Sequence, residues 1–400
     1  MSRRCLSLFI AVVIFACNNH TKVTVDTSIK ELEILNVDAP LKVNYDEIVD
    51  SVSYFPLKTD KCLIDKIERI IRDDKYLFIK DINGLHIFNI NGDFISDVGK
   101  KGAAPDEYFY IRSYYLDKAL KQICIISYPD NKLLKYSYSG ELISIEKFSY
   151  NFTNTAFVKC IAPDSLVVYN ALSSAPGERS AEYELYTFNQ SNIVTKSLFE
   201  GYDLTAMGAY YPLLYYPMVE QGTNLFLISA LSNIVYRYSN DTILPAFKIN
   251  IPNLAPPTDF INKYIETDCF ELMNIIRSNG YGSGIIGIAN QGNLLLLAIG
   301  ENRTLLTDSN EAILIDGMLY DTDLNIYSSS FFTSGVSDDN LAFITAHSLL
   351  EERERILNGD NETLKSILKT LRDDDNSIIF KYHLKMNVID ILKTKIKLNY

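Results

Sequence analysis

Tryptophan is missing from this 400-residue chain, and histidine occurs only 4 times. His20 lies near the amino terminus, His86 and His383 fall in alternating segments, and His347 opens a helical pattern. No Ser-His-Asp set can be assembled from that spacing, and Gly-x-Ser-x-Gly does not occur, so triad chemistry is not expected. The 6 cysteines include no Cys-x-x-Cys and lack histidine partners in sequence, which gives no zinc framework to expect. There is no Walker loop. The Gly-rich stretch Gly280 to Gly284 leads into a strand, so it cannot aim helix amides at a phosphate. Positive charge is scarce too: 38 Lys and Arg stand against 50 Asp and Glu, a formal charge of −12. A surface of that sign repels phosphate backbones, so no nucleic-acid partner is expected. Past the amino terminus the richest apolar run, Leu294 to Ile299, has strand length and stops at Gly300. These patterns nominate no catalytic residue, no metal ligand and no cofactor.

What the chain does have is 27 Tyr and 20 Phe, both strand-favouring. The segment Phe88-Asn89-Ile90-Asn91-Gly92-Asp93-Phe94-Ile95-Ser96 returns 48 residues later as Tyr136-Ser137-Tyr138-Ser139-Gly140-Glu141-Leu142-Ile143-Ser144. Each copy is a short alternating strand, a polar-Gly turn and a second short strand. Short strands repeating every roughly 40–50 residues mark a β-propeller. The expected fold class is therefore all-β: a six-bladed β-propeller of four-stranded antiparallel blades. The expected blades run from about Ile64 to Gly99, Tyr110 to Phe148, Thr155 to Phe199, around Asn224 to Tyr238, and Ile285 to about Ser328. A last blade joins Leu341–Ile344 and Ile378–Leu384 to an amino-terminal strand near Val52 to Leu57. Sharing one blade between the two ends of the chain would remove free edges. Helical spacing predicts insertions near 258–279 and 345–373, the second broken at Asn358-Gly359-Asp360, with apolar stripes expected to pack on the propeller.

Arg3 and Arg4 precede the apolar run Leu6 to Phe15, which is too short to span a bilayer, and Cys17 follows at once. Residues 1–16 thus read as a signal peptide that resembles a bacterial lipoprotein signal, with Cys17 as the acylated residue. Residues 17–44 are expected to lead as a tether into a single propeller domain at 45–400. Acyl chains bury about 0.8 kcal/mol per methylene, so the only expected membrane contact is a lasting lipid anchor. The expected location is the outer membrane. No acid occurs between Cys17 and Asp26, so the periplasmic and cell-surface faces both stay open. The spacings of Cys62, Cys124, Cys160 and Cys269 set no disulfide pairing, and Cys124, inside Gln122 to Ile126, is expected as a buried free thiol.

The loop Gly99-Lys100-Lys101-Gly102-Ala103-Ala104-Pro105-Asp106-Glu107-Tyr108 resembles the Gly-(Arg/Lys)-Gly-Pro-Gly-Glu-Tyr loop of the six-bladed, NHL-like β-propeller lipoproteins of Bacteroidota. Gly99, Gly102, Pro105, Glu107 and Tyr108 keep its pattern, while an Ala is inserted and Asp106 replaces a Gly. Asp106 would then have to take the left-handed conformation that Gly adopts at no cost. Asp375 to Lys385 is similar to the family's closing strand, with Ser377 for Pro, and Asn240-Asp241-Thr242-Ile243 echoes a recurring Asn-Asp-Thr-Ile-Tyr. The resemblance implies a fold and a location, and no reaction.

Function is therefore sought in what does not repeat. Tyr202, Tyr210, Tyr211, Tyr215 and Tyr216 cluster around Pro212 and Pro217, and Tyr offers a flat face with a hydroxyl for sugar or peptide contacts. The leading expectation is a non-enzymatic propeller that binds an unknown ligand or envelope protein through this segment and the Gly99–Tyr108 loop. The alternative is a carbohydrate-active lyase or hydrolase with acidic residues at the central channel, which convergent carboxylates would favour. A structural subunit of an envelope complex is a third reading.

Overall fold

A computed structural model describes residues 29–399 apart from 148–154, 163–164, 171–182, 190–193, 201–215, 240–241, 265–266, 268, 301–302, 318, 325 and 329–340. The described chain is built from consecutive antiparallel sheets. The first holds Ile67–Asp73, Tyr76–Asp81, Leu85–Asn89 and Phe94–Asp97 in sequence order. The second holds Tyr110–Asp117, Gln122–Tyr128, Lys132–Ser137 and Leu142–Lys147, and the third Thr155–Ala162, Ser165–Asn170, Tyr183–Asn189 and Val194–Glu200. A fourth set, Met218–Gln221 to Thr242–Ile249, and a fifth, Ile285–Gln291 to Glu311–Asp316, are joined through Glu31–Ile34, which runs parallel to both and makes one nine-stranded sheet. The segment read as a tether therefore carries a strand. Asn36 clamps it: its Nδ2 donates to the Leu314 carbonyl and its Oδ1 accepts the Leu314 N–H, both at 2.8 Å.

The closing sheet joins the expected pieces, with Val49–Pro56 against Ile378–Leu384 and Leu341–Ile344 on the other side. The fifth set ends sooner than expected. Gly317, at φ +89°, breaks the run after Asp316, and Leu319–Asp321 pairs instead with Ile326–Ser328 as a separate hairpin.

The repeat seen in the sequence is a repeat in hydrogen bonding. Asn89 N–H donates to the Asp93 carbonyl and Gly92 N–H to Asn89; 48 residues on, Ser137 donates to Glu141 and Gly140 to Ser137. Asn89 Oδ1 accepts from the Asn91 and Asp93 amides, and Ser137 Oγ does the same for Ser139 and Glu141. Gly is needed twice over in each turn. Gly92 has φ +81° and Gly140 φ +85°. A Cβ would also lie 1.8 Å from the Pro56 carbonyl oxygen at the first and 2.6 Å from that of Asp97 at the second, where each turn presses on the preceding sheet.

The inner strands are covered on both faces, so they read as apolar runs: all six residues of Leu294–Ile299 are buried. One core joins the first and second sheets through Phe78, Ile87, Tyr114 and Ile123. Another joins the second to the third, and a larger one links the third, fourth and fifth. The fifth packs on the closing sheet through Leu296, Ile313, Phe380 and Tyr382, and Phe55 and Ile379 pack back onto Ile70 and Leu77 of the first. Each fully buried Leu, Ile or Phe contributes about 1.5–3 kcal/mol.

The expected insertions are shorter helices. The first is Thr258–Lys263 and Cys269–Ser278, seated on Leu231 through Ile261, Leu272 and Ile276. The second is Ala346–Glu351, Arg353–Asn358 and Glu362–Leu368, whose Leu349, Ile356, Leu364 and Leu368 join the core. Thr345 and Asn361 cap two of them by accepting the Ser348 and Leu364 amides. A carboxy-terminal helix, Val388–Asn399, was not anticipated and packs through Val388 and Leu392. Among the described residues no helix is long and apolar enough to cross a membrane.

Candidate functional site

The first strands of successive sheets converge on Arg69, which is only 8% exposed. Its guanidinium lies 5.0 Å from the Tyr114 ring centre, 5.3 Å from that of Phe157 and 6.0 Å from that of Tyr216. Its Nε donates to Tyr216 Oη at 3.3 Å and its Nη1 to Ser113 Oγ at 3.3 Å. Ser113 Oγ donates in turn to the Ala156 carbonyl, and Tyr114 Oη donates to the Phe78 carbonyl at 2.8 Å. Residues 69, 113, 157 and 216 come from four different sheets or their leading edges, and Tyr216 bridges to Gly287 of a fifth. Each aromatic face attracts the cation by about 0.5–2 kcal/mol, the larger value applying where water is excluded.

Arg69 is also one wall of a cavity of about 250 Å³ bounded by Lys118, Lys159, Asp117, Cys160 and Glu220. Asp117 is buried and accepts the Leu120 amide at 3.0 Å, which closes the turn beside it. Glu220 Oε2 sits 3.6 Å from Lys118 Nζ and 3.5 Å from Lys159 Nζ, so one carboxylate is shared between two ammonium groups. Burial pushes the Cys160 thiol up to about 12, so it is protonated at neutral pH. Cys62, Cys124 and Cys160 are all free, and Cys124 is buried as expected.

Of the Tyr-rich segment, only Tyr216 falls within the described residues, where it is buried against Arg69 and Phe157. Tyr202, Tyr210, Tyr211 and Tyr215 lie outside them, as does Cys17.

The Gly99–Tyr108 loop is built as a brace. Lys101 and Tyr108 pair across it, with Gly102 N–H on the Tyr108 carbonyl and Tyr108 N–H on that of Lys100. Glu107 folds back so that Oε2 accepts the Ala104 amide at 2.9 Å, and a Cβ on Gly102 would strike it. Buried Lys132 donates to the Pro105 and Glu107 carbonyls. Gly99, at φ +69°, is held under Tyr136, whose Oη a Cβ would approach to 2.4 Å. Asp106 is not left-handed: in this loop Gly99 alone has positive φ. Tyr108 is buried with its hydroxyl against Gly84, and burial followed by the charge of Asp97 pushes it up to about 12. The loop thus supports the end of the first sheet.

Sequence reasoning passed over Arg69. The available signal was a charge in the first strand of the first blade, on the same face as Ile71, where an apolar residue is the default. Its partners could not be read, because Ser113 is 44 and Tyr216 is 147 residues away.

One solved structure shares this fold, and others match more loosely. A protein of Bacteroides fragilis described as exported superposes with a TM-score of 0.68 at 18% identity, covering 89% of this chain and 99% of that one. A DUF4221 family member from Bacteroides vulgatus matches with a TM-score of 0.44 at 11% identity, over 67% of this chain and 86% of that one. The WD40 domain of Neurospora crassa Pan2 matches with a TM-score of 0.37 at 9% identity, over 62% and 64%. The architecture is all-β and β-propeller-like. No protein with a curated description matches the sequence. A family model described as a domain of unknown function, DUF4934, matches residues 28–383.

Proposed function

The chain belongs to the DUF4934 family, and we propose that it is a lipid-anchored, six-bladed envelope propeller that binds a small carboxylate at its axis without turning it over. Six blades are supported by the run of cores from sheet to sheet, with the closing sheet packed back onto the first. Anchoring is supported by Cys17 after a short apolar run, and an exported likeness in Bacteroides agrees with an envelope address.

The observation that carries the binding reading is Arg69, fixed beneath three rings and opening into a 250 Å³ cavity beside Lys118 and Lys159. A guanidinium in a rigid frame meets a carboxylate through two parallel hydrogen bonds and loses little entropy in doing so. The cavity is slightly smaller than the common ligand pocket of about 300–1,000 Å³, which suits a molecule the size of one sugar acid or amino acid. The chain's overall charge of −12 disfavours polyanions, so a single carboxylate fits better than a phosphorylated or highly sulfated ligand. Binding is favoured over hydrolysis because the cavity acids are committed: Asp117 to its turn and Glu220 to two lysines.

Detergent-solubilised full-length protein titrated calorimetrically with uronic acids, glutamate and acetate tests this. At least one should bind, and Arg69→Met should weaken it at least about tenfold, or 1.4 kcal/mol. Equal binding by the variant, or none by the native protein, would overturn the reading. For the anchor, Cys17→Ala should move the protein out of the membrane fraction; unchanged fractionation would refute it.

A further inference from the structure

At the opposite end of the first sheet from its Asn91-Gly92 turn, three donor atoms of different chemistry meet. Cys62 Sγ lies 3.6 Å from His86 Nδ1, and Asp97 Oδ1 lies 2.7 Å from the same nitrogen. All three ligand atoms fall within 4.8 Å of one another. The residues come from the segment ahead of the first strand, the start of the third strand and the end of the fourth, so the sheet's own register assembles them.

The ring is oriented from behind. His86 Nε2 donates to Asp81 Oδ1 at 3.1 Å. Asp81 is 1% exposed and is held by the amides of Asn83 and Gly84 on Oδ1 and of Asp65 on Oδ2. A carboxylate so placed can only accept, which assigns the Nε2 proton and turns Nδ1 toward Cys62 and Asp97. Metal-binding histidines are commonly oriented this way, one ring nitrogen on the metal and the other N–H on a buried carboxylate.

We propose that Cys62, His86 and Asp97 bind one zinc-class divalent ion, with Asp81 as the positioning carboxylate. The donor set of one thiolate, one imidazole and one carboxylate suits borderline-soft Zn²⁺ rather than Mg²⁺ or Ca²⁺, which want oxygen alone. With Zn–S near 2.3 Å and Zn–N and Zn–O near 2.0–2.2 Å, neighbouring donors in a tetrahedron stand about 3.3–3.6 Å apart. The sulfur-to-nitrogen distance already matches. The nitrogen-to-oxygen distance is that of a hydrogen bond and must lengthen as the ion replaces the proton between them. Asp97 is placed to allow that, because its side chain is 62% exposed at the rim. Three protein donors with one on the rim leave the fourth position to water or a ligand atom. The Cys62 thiol proton and the Nδ1 proton go to solvent on binding. The separations explain why sequence spacing gave no zinc framework: Cys62 is 24 residues from His86, with no paired cysteine.

The test uses detergent-solubilised full-length protein stripped with a chelator and then titrated with Zn²⁺ against a chromogenic competitor. One ion per chain is expected, with a rise in melting temperature. Co²⁺ should give thiolate-to-metal charge-transfer absorption that Cys62→Ala abolishes. Cys62→Ala and Asp97→Asn should each weaken zinc at least about tenfold, and Asp81→Asn about 10–100-fold. Cys62 is partly exposed and should fold when changed, which an unchanged circular dichroism spectrum would establish. The proposal fails if native protein takes up no stoichiometric zinc, if Co²⁺ shows no thiolate band, or if folded Cys62→Ala binds zinc as tightly as the native chain.

Discussion

Arg69 and His86 are both buried cations at 8% exposure, and their surroundings are opposite. Arg69 is ringed by aromatic faces and hydroxyls. His86 sits between two carboxylates and a thiol. Burial works against its imidazolium, but the hydrogen bonds to Asp81 and Asp97 outweigh that and push it up to about 11. The same frame holds Asp81 below the usual carboxylate range against the effect of its burial. One site is a permanent positive charge with room beside it. The other is a positive charge that a proton supplies and a metal ion can replace.

The largest expected effect in this contrast comes from Asp81→Ala. It strips the acceptor from three backbone amides and from the His86 ring, and should cost about 3–5 kcal/mol in urea unfolding. A loss under 1 kcal/mol would mean the His86 end is not the rigid frame described. Arg69→Met should behave differently, costing less than Asp81→Ala at about 1–2 kcal/mol, because an apolar side chain of similar length keeps the packing against the rings while the cation–ring attraction is lost. If it destabilises the fold as much as Asp81→Ala, Arg69 is structural and the contrast collapses.

A third expectation concerns pH in chelator-treated protein. His86 has a folded pKa above its unfolded value of about 6.5, so its stabilisation is complete below that pH and is lost as pH rises toward 11. Asp81 has a depressed folded pKa, so its contribution is present above about 3.9 and is lost as pH falls below that. Melting temperature should therefore be highest between these limits and decline on the alkaline side. His86→Gln should flatten the alkaline decline, whereas Arg69→Met should leave it intact. A decline that survives His86→Gln would assign it to other groups. The smallest effect is expected from Glu220→Gln, which removes the carboxylate charge that Lys118 and Lys159 share. Carboxylate ligands should then bind a few-fold more tightly, since a rim ion pair is worth about 0.2–1 kcal/mol. Weaker binding would show that Glu220 contacts the ligand.

Much of the fold was legible because its signals are local. Alternation and Gly turns place strands within a few residues, and Gly92 and Gly140 recur with the same hydrogen bonds. The closing sheet was legible from two apolar strands at opposite ends of the chain. The strand Glu31–Ile34 was not, because four residues of mixed polarity carry no pattern of their own and are ordered by the edges of two neighbouring sheets. The carboxy-terminal helix was missed beside a closing strand that drew the reading toward β structure. The Gly99–Tyr108 motif was found, but its role as a brace shows only once Glu107 is seen on the Ala104 amide.

The sequence by itself determined most of the strands, the Gly turns and the net acidic charge, since each depends on neighbours along the chain or on composition alone. Only the tertiary structure decided where chemistry gathers. Arg69 meets Ser113 and Tyr216 across 44 and 147 residues, and Cys62 meets His86 and Asp97 at the end of one sheet. Those meetings follow from how sheets twist and stack, which places side chains within a few ångströms irrespective of their separation along the chain.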